Sequence, residues 1–263
     1  MTRTHKIVLA GTVALIIVAA VAVKWIFFPS IKDAYFTMNQ QSLGQAPSGL
    51  VVVRPTHFPK SIRKGIMSDT IQVSGQRVWR MMGRNVTFQQ LVAAAYGRSE
   101  ARVVLPATAP KTNFDFLVTV RGNQQQQLQK AIRKKLGFIA QTETSDEEVL
   151  TLKIANGTLP GLTASDASAK PNVHFDKGKL YFTHMRPSAL TEGLEQMLKL
   201  PVVDKTDLTN FYDFSAVWDS QMQRQIQNEA TATAAIKKIL NGWGLALEPD
   251  SDRVEVLVVK SAT

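Results

Sequence analysis

A chain of 263 residues, 44% hydrophobic and 20% charged, can close one large globular region or two modest domains. It holds no cysteine, which excludes disulfides, thiolate metal centres and a cysteine nucleophile. The formal charge of +10 is uneven: residues 30–160 carry 17 basic against 8 acidic side chains, and residues 161–263 carry 11 against 13.

The chain opens with the short basic segment MTRTHK, after which Ile7 to Val23 are all apolar or small. At ~1.5 Å per residue, Ile7–Phe28 would extend about 33 Å as a helix, enough to cross a bilayer's hydrocarbon core. Lys24 can snorkel, and Trp25, Phe27 and Phe28 suit the interfacial belt. Residues 1–28 are therefore expected to be a transmembrane signal anchor meeting membrane lipid through residues 7–28. A signal peptide cut after Ala20-Val21-Ala22 competes with this reading, but it would leave the awkwardly apolar terminus VKWIFF. The expected location is the bacterial inner (cytoplasmic) membrane, single-pass, with the C-terminal domain in the periplasm.

Residues 29–49, rich in Gln, Ser, Gly and Pro, read as a linker. A first α+β repeat is expected over residues 50–155. Leu50–Val53 is a short strand, and RPTHFPKSIRK (Arg54–Lys64) an exposed loop. Thr70–Ser74 and Arg77–Met81 alternate around Gly75-Gln76 as a hairpin. Thr87 and Gln90 form a capping box for a helix whose buried face is Phe88, Leu91, Val92 and Ala95. Strands follow at Val103–Leu105 and Phe114–Val120, then a helix within Gln124–Leu136 with the stripe Leu128, Ala131, Ile132 and Leu136. Phe138–Gln141 and Val149–Ile154 are expected to close the repeat as a hairpin.

Residues 156–171 are a second linker, and residues 172–263 a second repeat. It holds a strand at Lys179–Thr183 and a helix opened by Pro187 that buries Leu190, Leu194, Met197 and Leu198. The turn-rich LPVVDKTDLTNFYDF leads into a strand (Phe211–Trp218), a helix (Thr231–Asn241) and a final hairpin (Leu245–Glu248 with Val254–Val259). NFDFLVTV, AIRKKLGF and VLTLKI match FYDFSAVW, AIKKILNGWGL and VEVLVV, aligning Asp115 with Asp213 and Ala131 with Ala235. The fold class expected is α+β, an N-terminal transmembrane helix followed by two tandem ββαββαββ-like repeats.

PVVDKTDLTNFYDF (Pro201–Phe214) and ALEPDSDRVEVLVV (Ala246–Val259), with GLVVVRP (Gly49–Pro55) and NVTFQQLVAAAYG (Asn85–Gly97), resemble a known family. It is the soil-associated extracytoplasmic proteins of bacteria, a domain of unknown function. That family typically has glycine where this chain has Asp207 and Asn210, residues that tolerate the left-handed region best after glycine. The helix followed by GLALEPDSDRVEVLVV is also similar to the short N-terminal domain of secretins, a protein-interaction module. The resemblance implies location and fold plan, and supplies no catalytic residue.

Candidate chemistry is sparse. Asp204, Asp207, Asn210 and Asp213 recur every third residue, but lack the alternate spacing and glycine of a calcium loop and read better as turn caps. His174, Asp176 and His184 lie on or beside adjacent strands without metal-site clustering. No nucleophile elbow, zincin helix, Walker loop or dinucleotide fingerprint occurs. The expected contact set is basic: Arg54, Lys60, Arg63, Lys64, Arg77, Arg80 and Arg84, suited to carboxylates or phosphates. No catalytic, cofactor or metal residue is assigned. The expected function is a membrane-anchored, non-catalytic interaction protein, an accessory or stabilising subunit of a respiratory, photosynthetic or other membrane complex. Its partner is an acidic protein surface or lipid rather than nucleic acid. The alternatives are an envelope-acting enzyme and a free sensor or polymer-binding module.

Overall fold

The computed structural model describes residues 33–59, 61–73 and 75–262. After a 3-10 turn at Asp33–Phe36 come α1 (Gln40–Gln45), β1 (Val51–Pro55), β2 (Gly65–Val73) and β3 (Gln76–Val86). Next are α2 (Phe88–Tyr96), β4 (Val103–Val104), β5 (Phe114–Val118), α3 (Gln124–Leu136) and β6 (Phe138–Ile154). Then follow β7 (Thr163–Ala164), β8 (Asn172–Asp176), β9 (Lys179–Met185), α4 (Pro187–Leu198), β10 (Val202–Asp204) and β11 (Tyr212–Val217). The chain ends with α5 (Ser220–Gln227), α6 (Glu229–Gly242) and β12 (Leu245–Ser261). These elements fall into two compact units. One comprises the described residues up to Val86 with Phe114–Gln124, the other Thr87–Asn113 with everything from Gln125.

The first unit is one antiparallel sheet in the order β1-β5-β3-β2. Asn39 caps α1 by accepting the Ser42 N–H at 2.7 Å, which turns the chain back over one face of the sheet. There Phe36, Leu43 and Ala46 bury against Met82 and Leu117. Full burial of side chains this size contributes about 1.5–3 kcal/mol each, so the segment ahead of β1 belongs to the core.

The second unit contains a sheet with the corresponding order, β7-β11-β9-β8. The likeness reaches single residues. Asn85 and His184 both adopt left-handed φ, 53° and 54°. Both strand pairs break register there, between Gly83 and Val86 against β5 and between Tyr212 and Phe214 against β9. The positions corresponding to Met82 and Leu117 are Tyr181 and Ser215, half-buried and polar-tipped where the first unit is apolar and closed.

The remaining sheet, β10-β6-β12-β4, corrects the expected fold class. The α+β class stands, but the tandem, self-closing repeats do not. Each expected closing hairpin is one 17-residue strand, and these two strands pair with each other from Phe138↔Ser261 to Ile154↔Leu245. Gln141–Glu148 lacks glycine and proline, so its polarity marks an exposed stretch of ladder rather than a turn. Pro249 is tolerated because it faces Leu150, whose N–H goes to Pro201 on the other side. The missing proline N–H therefore faces the open edge of β12. Over this sheet the AIRKKLGF and AIKKILNGWGL helices run into their strands, the second through three extra residues that insert Trp243 into the core.

The expected transmembrane helix, with Lys24, Trp25, Phe27 and Phe28, lies outside the described residues. Among the described residues no helix is long and apolar enough to cross a membrane, so the single-pass inner-membrane location is withdrawn. The expected capping box is present, with Thr87 accepting from Gln90 N–H and the Gln90 side chain accepting from Thr87 N–H. Asp207 takes the left-handed conformation, φ 56°, whereas Asn210 does not.

Candidate functional site

The structure spends much of the expected basic set on its own main chain. Arg80 is 2% exposed and donates through Nη1 to the carbonyls of Leu43 (3.0 Å), Gly44 (3.2 Å) and Ala46 (2.6 Å), and through Nη2 to Ser48 Oγ (2.8 Å). It thus satisfies the carbonyls at the end of α1, the end a cation favours. Burial pushes its guanidinium below the ordinary arginine value. Arg84, also buried, donates to the Arg63 carbonyl from Nε (2.8 Å) and Nη2 (2.6 Å) and to the Phe36 carbonyl from Nη1 (2.8 Å). Arg54 pairs with Asp33 (2.7 Å) and the fully buried Asp115 (3.3 Å).

Arg63, Lys64 and Arg77 are exposed. Arg77 pairs with Gln72 beside the hairpin turn, whereas Lys64 precedes Gly65 at the far end of the β2–β3 ladder, so they do not form one patch. Lys60 lies outside the described residues. No group of three or more His, Asp or Glu among the described residues is placed to hold a metal. His174 stacks on Tyr181, and His184 stacks on Phe211 with its Nδ1 within 3.2 Å of Ser165 Oγ. Asp213 accepts the His184 N–H at 2.8 Å.

A different feature, which motif reading missed, lies in the second unit. The face of β9 and β11 carrying Leu180, Phe182, Met185, Phe214 and Ala216 meets Leu190, Leu194 and Met197 of α4 and Ile236, Ile239 and Leu240 of α6. They do not fill the space between them, and a cleft of about 110 Å³ remains, with Trp218, Ile226 and Trp243 completing a wholly apolar lining. Alternation on the strands and three-to-four spacing on the helices deliver these side chains to one place. Gly193 on α4 borders the cleft, and a Cβ there would meet nothing within 4 Å. Trp243 is anchored by its indole N–H, which donates to the Ser215 carbonyl at 2.7 Å, and its ring packs on Phe214 at 4.7 Å. Arg102 and Val202 N–H both reach the buried Glu195 carboxylate, at 2.7 and 2.9 Å, fixing α4 beside β10. The only sequence signal was a glycine amid the apolar stripe of α4.

A family model described as a protein of unknown function (DUF3738) matches residues 89–262. The chain belongs to the DUF3738 family. The DUF3738 region includes every residue that lines the cleft, both long central strands, and β5 with its buried Asp115. No curated protein and no solved structure matches the chain.

Proposed function

We propose that this chain is a non-catalytic interaction protein, an accessory or stabilising subunit of a larger assembly, and that its cleft seats an apolar group of the partner. The single observation behind this reading is the cleft itself, whose lining carries no charged residue and includes Met185, Met197 and two tryptophans. Polarizable methionine and rigid aromatic rings are the side chains that adapt to and anchor a partner's apolar group. At about 110 Å³ the space suits one side chain or a short alkyl group rather than a whole cofactor. Arg63 and Lys64, adjacent and exposed, with Arg77 exposed apart from them, are the described part of the basic set left to meet an acidic protein surface. Similarity of the C-terminal unit to the short N-terminal domain of secretins supports an interaction role, and membership of the soil-associated branch is part of the same reading. A sensor or polymer-binding module is the second reading, favoured by the same cleft if its occupant is a free apolar molecule.

The test is to plug the cleft. Gly193→Leu sends a side chain into open space, so folding should be retained and the partner that co-purifies with the native chain lost. Retention of the same partner at the same yield would overturn the proposal. Displacement by a small apolar molecule that shifts Trp218 and Trp243 fluorescence, with no protein partner, would favour the second reading.

A further inference from the structure

The sheet bearing the cleft ends in an edge strand whose apolar residues face solvent. Val173 is 49% and Phe175 58% exposed, and all five residues of β8 are open. Proteins usually blunt such an edge with proline or an inward-pointing charge, and β8 has neither between Asn172 and Asp176.

The hairpin geometry fixes which groups that edge offers. Lys177 and Gly178 both have positive φ, 47° and 78°, as a two-residue type I′ turn requires. Asp176 and Lys179 flank the turn and form the narrow hydrogen-bonded pair, so Asp176, His174 and Asn172 direct their main-chain groups to β9. The N–H and C=O groups of Val173 and Phe175 therefore point outward.

We propose that β8 is the contact strand of a symmetric dimer, pairing antiparallel with β8 of a second molecule of this chain about a two-fold axis at His174. In that register Val173 faces the partner's Phe175 and Phe175 the partner's Val173, so all the outward main-chain groups of these two residues are satisfied. Directly opposed residues share a face, so the four apolar side chains form one cluster as aromatic–β-branched pairs. On the other face Asn172 lies opposite the partner's Asp176, with Lys170 diagonal to it, which places an amide and an ammonium beside a carboxylate twice. A shift towards the strand start brings Pro171, which has no N–H, into the ladder, and a shift the other way brings in the left-handed Lys177. This register alone uses extended residues throughout. A second molecule is favoured over an unrelated strand because the strand complements itself in charge, shape and hydrogen bonding.

The chain has no cysteine, so one can be placed at will. His174 faces its own symmetry mate in a non-hydrogen-bonded pair, where Cα atoms lie about 4.5 Å apart, within disulfide reach. Full-length H174C should give a disulfide-linked dimer on mild oxidation, and V217C, also at an exposed position of the same sheet, should not. The native chain should sediment at twice the mass of one chain at tens of micromolar, and Phe175→Lys should return it to single chains and abolish H174C cross-linking. Cross-linking of H174C no faster than V217C would overturn the proposal. So would a native chain that sediments singly at that concentration, the result expected if the edge instead takes a strand from another protein.

Discussion

The carboxylate of Asp213 accepts the backbone N–H of His184 at 2.8 Å, and His184 holds a left-handed φ of 54° to present it. Asp115 does the same for Asn85 at 3.0 Å, with φ 53°. A bulge turns one N–H out of each ladder, and an aspartate on the neighbouring strand takes it up. Asp115 is completely buried and also pairs with Arg54, whereas Asp213 is half-buried. Asp115→Ala should therefore cost about 3–5 kcal/mol and Asp213→Ala about 1–2 kcal/mol in urea unfolding. Equal costs would mean that the Arg54 pair adds nothing.

Among the described residues Arg80 has no carboxylate partner, and its charge meets carbonyl dipoles and the Ser48 hydroxyl. Arg80→Met should destabilise the chain by about 3–5 kcal/mol, because buried acceptors lose their donors together. The exposed Arg63→Glu with Lys64→Glu should change stability by less than about 0.5 kcal/mol. Thermal unfolding of both variants separates the structural arginine from the surface pair.

A glycine in a sheet and one in a helix should respond oppositely to a methyl group. Gly193→Ala enters open space on a helix and should stabilise by about 0.5–1 kcal/mol. Gly83→Ala would put its Cβ 2.1 Å from Phe116 Cε1, and should cost about 1–3 kcal/mol through displacement of that ring. Destabilisation by Gly193→Ala would show that the cleft is closed in solution.

Asp33 titrates below its ordinary 3.8, through its hydrogen bond with His57 and then that with Arg54. A depressed carboxyl contributes stability above its unfolded pKa and loses it as pH falls through the folded one. Asp33→Asn should lower the unfolding temperature near neutral pH, and the difference from the native chain should fade as pH drops below the ordinary carboxylate range and through the depressed folded pKa. A difference that persists in acid would assign the effect to packing rather than charge.

Much of the local structure was legible because it depends on neighbours in sequence. Thr87 and Gln90 announced a helix start, Pro187 another, and the match of Asp115 with Asp213 marked a repeated unit, although no motif describes the bulge the two share. What failed was long-range. TETSDEE looked like a turn because its residues are polar, yet Asp146 and Glu148 are solvent-facing members of an unbroken ladder. Arg80 and Arg84 looked like surface residues because arginine usually is. Distant acceptors explain their burial, among them the carbonyls of Leu43 and Phe36, some forty positions earlier in the chain. The cleft was illegible for a related reason, since an apolar stripe has the same pattern whether or not its core is filled.

The pairing of β6 with β12 also has a consequence for biosynthesis. When Phe138–Ile154 leaves the ribosome, its partner Leu245–Ser261 has not yet been made, and roughly a hundred residues must follow before the ladder can close. For that interval the nascent chain displays a 17-residue strand with two unpaired sides. The polar run from Gln141 to Glu148 interrupts the apolar ends of that strand and carries four acidic groups, which would repel another unfinished chain in the same register. The stretch that resembles a turn thus serves as a safeguard for a fold completed only by its last strand.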